Sequence, residues 1–289
     1  MRPATRSRLA GLCLALVVAG TASASAQTLL GGYYYPIFHE DQEERVRGSA
    51  VGDYLGLPIN DDLRLRADTW DASLLTVPEH QCKPHPSTYG FRGVGQLRIW
   101  EDFDPLTQRL LKINTLIEWQ EQRREIWMDG RSHPPEYARH TWQGFSTGRF
   151  ENDVLVVETT HLKAGWIRRN GLALSDRATM VERFVRHGDL LTHVTLIQDP
   201  VYLTEPLVRT NGFQSIPNGG IEPYPCQPVV EVVRPRGQVP HHPLGQNGFL
   251  HEFAERYGIP FEASRGGAET ALPDYEIRLK ALVTNGAEK

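Results

Sequence analysis

From Gln96 onward the chain breaks into short runs of β-branched, aromatic and aliphatic residues separated by tight-turn chemistry. That rhythm restricts it to an antiparallel β architecture. The runs cover 96–101, 109–119, 123–128, 141–150, 154–162, 178–187 and 190–198. Asp129-Gly130, Glu151-Asn152-Asp153 and His187-Gly188-Asp189 are turn sequences, with Gly188 placed where a positive φ is needed. Run 178–187 also fits a helical stripe through Met180, Val181, Phe184 and Val185, but its two- or three-residue connection to 190–198 suits strands better than helices. Short connections force neighbours to run antiparallel, which predicts an up-and-down meander.

Within 142–149, Gly144, Ser146 and Gly148 share one face of a strand. Three tiny residues in register let a strand bend or another group approach closely. Meandering strands with one built to bend predict a mainly β fold that closes into a barrel, since closure removes exposed edges. A two-sheet sandwich is the alternative. Residues 27–94 read as an irregular wrapping segment with a helix near 61–70, and 95–215 as the β core. Residues 216–289 read as a Pro- and Gly-rich extension, with a short helix whose buried stripe would be Phe249, Phe253 and Tyr257.

The first 26 residues join a basic start (Arg2, Arg6, Arg8) to an apolar run and a small-residue end at Ala24-Ser25-Ala26, the anatomy of a secretory signal peptide. The run is too short to span a bilayer, and no transmembrane segment is expected in the mature chain. Cleavage near Ala26 would send the protein to the periplasm or outside the cell. It would also leave 28 basic against 35 acidic side chains, a net charge of −7 that disfavours nucleic acid as a partner. Cys13 leaves with the signal, so Cys82 and Cys226 are expected to form a disulfide.

Asp129, Arg131 and His133 alternate after the third run, so if the strand continues past its turn an acid, a guanidinium and an imidazole share a face and could act as an acid–base wall. Local turn chemistry accounts for the same letters. Glu158 and His161, with Glu182 and Arg183 on a neighbouring run, form a second candidate polar cluster. Trp127, Phe145, Arg149, His193 and Tyr202 are the candidate ligand-lining residues. His133, His140, His161 and His193 fall on successive strands or their ends. No His-x-His or His-Glu-x-x-His pair makes them converge, so neither metal nor cofactor is expected. Gly144-Phe145-Ser146-Thr147-Gly148 matches the letters of a hydrolase elbow but lies in a predicted hairpin, where that elbow's strand-to-helix turn cannot form.

Trp70-Asp71, Pro78-Glu79-His80-Gln81-Cys82, Met128-Asp129-Gly130-Arg131-Ser132-His133-Pro134, the run 144–160 and Arg168-Arg169-Asn170-Gly171 together resemble a family of secreted bacterial proteins of unknown function. The resemblance covers roughly residues 45–215 and implies export, with no reaction or catalytic residue attached. In architecture alone the strand count resembles lipocalin-like barrels, which implies an enclosed, partly apolar ligand. The leading expectation is an exported barrel that binds a small, partly apolar molecule. A cofactor-independent lyase, hydratase or isomerase, and an envelope-assembly factor, are the alternatives.

Overall fold

The computed structural model describes residues 30–38 and 48–287. The segment 1–26, read above as a signal peptide, and the acidic stretch 40–44 lie outside them. In chain order the strands are β1 (Gly32–Ile37), β2 (Leu97–Phe103), β3 (Leu110–Ile117), β4 (Gln122–Trp127), β5 (Phe145–Glu151), β6 (Val154–Thr160), β7 (Gly165–Arg168), β8 (Leu172–Leu174), β9 (Thr179–His187), β10 (Leu190–Gln198) and β11 (Leu207–Ser215). Nine of them close a barrel in the order β1-β11-β10-β9-β6-β5-β4-β3-β2, while β7 and β8 form a separate hairpin. All seven runs read from the sequence are strands, and the barrel, not the sandwich, is the architecture.

The up-and-down meander needs one correction. Strands β4 and β5 are parallel, registered through Ile126 with Ser146 and Trp127 with Thr147. A ring with an odd number of strands cannot alternate direction throughout, so a closed nine-stranded sheet whose other neighbours are antiparallel must contain one parallel pair. Residues 128–144 supply the long return that a parallel pair requires. This seam is the least paired in the barrel.

The interior is filled by side chains. Leu97, Ile99, Ile113, Ile117, Ile126, Leu155, Val157, Phe184, Leu191 and Phe213 point inward from the strands and are almost wholly buried, joined by Tyr34. Phe91, from the wrapping segment, meets Phe184, His193 and Phe213 edge-on. The expected chamber inside the barrel is therefore a packed core.

One end of the barrel is sealed by a second core. There α1 (Asp61–Asp68), capped by the Asn60 side chain on the Leu63 amide, buries Leu63 and Ala67. They pack with Tyr54, Ile59, Leu172, Leu174, Met180, Ile197 and Leu207. The short helix α2 (Ser87–Gly90) precedes Phe91. The C-terminal extension carries α3 (Glu252–Tyr257), α4 (Phe261–Ser264) and α5 (Tyr275–Ala287). The stripe expected from Phe249, Phe253 and Tyr257 is not the buried face. The 3-10 turn Gly248–His251 changes the pitch ahead of α3, so Leu250 and Ala254 are buried while Phe249 and Tyr257 are each about half exposed.

The small residues in and just before β5 are explained by close approach. A Cβ on Gly148 would sit 2.6 Å from Met128 Sδ and 2.9 Å from Ile126 Cγ2, and one on Gly144, at φ +71°, would sit 2.6 Å from the Thr160 carbonyl. Met128 can yield, but Ile126 belongs to the core. Gly148→Ala should therefore lower stability by about 1–3 kcal/mol through overpacking, read as a fall in the urea midpoint at unchanged slope.

Candidate functional site

At the end opposite the second core, the β2–β3 turn, the residues that follow β4 and the second half of β5 line a cup of about 910 Å3. Its floor is apolar. Leu110, Met128 and Phe150 pack down onto the barrel core, Leu111 lies beside them, and Phe103 stands 51 % exposed at the rim. Met128 faces the backbone of Gly148, and its unbranched thioether can repack around different shapes. Asp104, Arg109, Asp129 and Arg149 supply the charged lining.

Local chemistry positions each of these groups. Asp104 accepts from the Leu106 and Thr107 amides of the β2–β3 turn, which hold its carboxyl below the usual range. Asp129 is clamped by the Arg131 guanidinium, whose hydrogen bonds lower its pKa, and Arg131 lies 3.5 Å above the Trp127 ring. Arg149 bridges Glu151 and Glu158 on the outer face. Arg109, by contrast, has no carboxylate partner among the described residues.

The acid–base wall expected from Asp129, Arg131 and His133 does not assemble. Asp129 and Arg131 satisfy each other at the cup, while the chain carries His133 away into a groove of about 520 Å3 shared with His140 and His161. There His133 Nε2 lies 2.9 Å from Thr147 Oγ1 and its Nδ1 lies 2.8 Å from Thr160 Oγ1. Thr160 Oγ1 is 2.7 Å from His161 Nδ1, and His161 Nε2 is 2.9 Å from the Pro135 carbonyl. Because a carbonyl only accepts, neutral rings fix the whole chain: His161 donates from Nε2, Thr160 donates to His161, His133 donates from Nδ1, and Thr147 donates to His133. Burial holds His133 below its ordinary pKa, consistent with a neutral ring. Every nitrogen of these two histidines is thus committed to holding the loop 133–140 on the barrel. Among the described residues, no cluster of three or more His, Cys, Asp or Glu could hold a metal.

Glu158 points outward to Arg149, and Arg183 is exposed, so that second cluster divides between the two faces of the wall. Glu182 faces inward and finds partners the sequence reading did not weigh. The Arg124 guanidinium, 3 % exposed, donates to both Glu182 oxygens, to Ser146 Oγ and to Thr159 Oγ1. His193 Nε2 lies 2.8 Å from Glu182 Oε1, and Asn211 lies 3.3 Å from His193 Nδ1. The signal for Arg124 was its parity with Ile126, which places it on the inward face of β4.

Of the remaining candidate ligand residues, Trp127 and Phe145 share a groove of about 520 Å3 along the β4–β5 seam, and the others lie apart from it. Phe145 packs edge-on against His133, His193 lies inside the barrel, and Tyr202 holds Arg66 at the sealed end. Trp127 lies on the outer wall beneath Arg131 and Lys112. Only Arg149, of that set, lines the cup. No helix among the described residues is long and apolar enough to cross a membrane. Comparison with protein-family models, with curated proteins and with solved structures found no match.

Proposed function

We propose that the protein is an exported binding protein that takes a small, partly apolar molecule with an acidic end into the cup at the open end of its barrel. One observation carries this reading: an apolar floor of Leu110, Met128 and Phe150 lies beneath a rim whose Arg109 has no carboxylate partner among the described residues. Barrel mouths are frequent ligand sites, and an apolar surface with few polar groups is their usual lining. The disulfide and the signal-like leader support export. The acid–base alternative gains no support, because its named groups are spread over three places and paired in each.

Octanoate and 1-octanol, titrated calorimetrically into the oxidised protein, test the proposal. Octanoate should bind saturably and more tightly than the alcohol. Arg109→Gln should erase that difference, and Phe150→Asp should weaken octanoate at least tenfold by placing a like charge on the floor. Absence of saturable octanoate binding, or wild-type affinity in Phe150→Asp, would overturn it.

A further inference from the structure

A second, smaller pocket lies toward the sealed end of the barrel, behind the Cys82–Cys226 bridge. It measures about 180 Å3 and is built from stretches far apart in sequence: 80–86 in the wrapping segment, Gln120 in the β3–β4 connection, Trp142 before β5, and Gly165, Trp166 and Arg169 around β7. Among the described residues, no aspartate or glutamate lines it. Lys83 and Arg169 do, and Lys163 adjoins it, with the Lys83 and Lys163 ammonium groups 5.4 and 5.0 Å from the Trp142 ring centroid.

Three buried polar atoms around this pocket have no hydrogen-bond partner among the described residues: Arg169 Nε, His80 Nδ1 and Gln120 Oε1. A buried donor or acceptor left unpaired is costly, and native proteins rarely carry several together without a ligand or solvent to meet them; of the three, the Arg169 N–H is the donor an anion would meet, and Gln120 Oε1 is an acceptor. None of Lys83, Lys163 and Arg169 pairs with a carboxylate among the described residues. Glu231 approaches the wall only to accept from Gln81, and Glu79 is exposed outside it. Two of the lining residues, Cys82 and Gln120, have left-handed backbones at φ +50° and +58°. Non-glycine residues held in this region cluster at binding sites, where surrounding structure maintains them.

We infer that this pocket binds a small carboxylate with a flat, apolar body, its carboxylate meeting Arg169 and Lys83 and its body lying between Trp142, Trp166 and the prolines. Size agrees, since about 180 Å3 lies below the range of pockets that take drug-sized ligands and suits a smaller molecule. The electrostatics agree as well. Burial and the charge of Lys163 push the Lys83 ammonium down, a strain that an anion would relieve. Burial, then Arg169 and Lys83, push His85 down to about 3, so the imidazole stacked on Trp119 stays neutral and adds no competing charge. The inference is independent of the cup.

Benzoate is the probe, titrated calorimetrically into the full-length oxidised protein, with inorganic phosphate as the comparison anion. Benzoate should bind with one-to-one stoichiometry and more tightly than phosphate. Binding should weaken on the order of 10- to 100-fold in Arg169→Gln and in Lys83→Gln, the loss expected for one charged hydrogen bond. Phe150→Asp, in the distant cup, should leave it unchanged, which separates failure of this site from failure of the other. No saturable benzoate binding, phosphate binding as tight as benzoate, or wild-type affinity in both charge variants would overturn the inference. If one variant does not fold, the other decides.

Discussion

Replacing Glu182 with alanine is expected to destabilise the protein by about 3–5 kcal/mol, because it strands a guanidinium in the barrel interior. Arg124 is 3 % exposed and spends its donors on Glu182, Ser146 and Thr159. Without the carboxylate, two hydroxyls remain to meet a full positive charge. The location enlarges the consequence, since Arg124 lies on β4 and Ser146 on β5, across the sparsely registered parallel seam. In thermal unfolding the loss should appear as a drop in Tm on the order of 10 °C. Arg124→Met combined with Glu182→Leu should recover most of it, since an ion pair exchanged whole for apolar volume is often neutral. A double variant as unstable as Glu182→Ala would refute this account of the network.

The same carboxylate gives the fold a defined acid sensitivity. Burial pushes the Glu182 carboxyl up, but Arg124 and then the His193 hydrogen bond outweigh burial and hold it near 2, against 4.5 when unfolded. A lowered folded pKa means the contribution is complete above about pH 4.5 and disappears as pH falls from there toward 2. His85 acts in the same direction through a different route. Its folded imidazole resists protonation down to about 3, whereas the unfolded chain takes the proton at 6.5, so stability falls as pH drops below 6.5. Urea midpoints measured from pH 7 to 2 should decline throughout, and the Arg124→Met, Glu182→Leu variant should lose only the steeper acidic part.

The strands were legible because each is bracketed by turn chemistry that works locally. Gly130 and Gly188 take the positive φ that their turns require, and so does Asn152. The two strands that close the ring were not legible. β11 turns Arg209 and Asn211 toward the interior, which disguises its alternation, and β1 is a six-residue strand carrying Pro36. Polar residues facing inward also hid the Arg124 network, since a run containing Arg123, Arg124 and Glu125 reads as solvated until its partners on five other strands are known. The pocket behind the disulfide had no local signature at all. Its wall draws on 75–86, Gln120, Trp142 and 165–169, stretches that nothing in the local sequence links to one another.

The second large effect concerns that wall. Cys82 and Cys226 are bonded across a sequence separation of 144, with Cα atoms 5.6 Å apart, as the cysteine count implied. Closing so long a loop is worth on the order of 4–5 kcal/mol in the chain-entropy description, which is a ceiling because native segments can detach without global unfolding. Residues 221–234 are the segment in question: they are largely exposed and lie outside helix and strand. Their hold on the rest includes the Val229 amide on Gln81, the Tyr224 amide on Glu121 and the Arg234 guanidinium on Thr76. Cys82→Ser with Cys226→Ser should therefore cost about 2–3 kcal/mol in global stability, while the Val229 and Tyr224 amides lose hydrogen-exchange protection well before those of β9 and β10. Because Cys82 and Gln81 line the carboxylate pocket, benzoate affinity should fall in the double variant and octanoate affinity at the cup should not. Equal protection of these two amides in both proteins would mean that the extension is held by its polar contacts alone, and the bridge would then be no more than a surface crosslink.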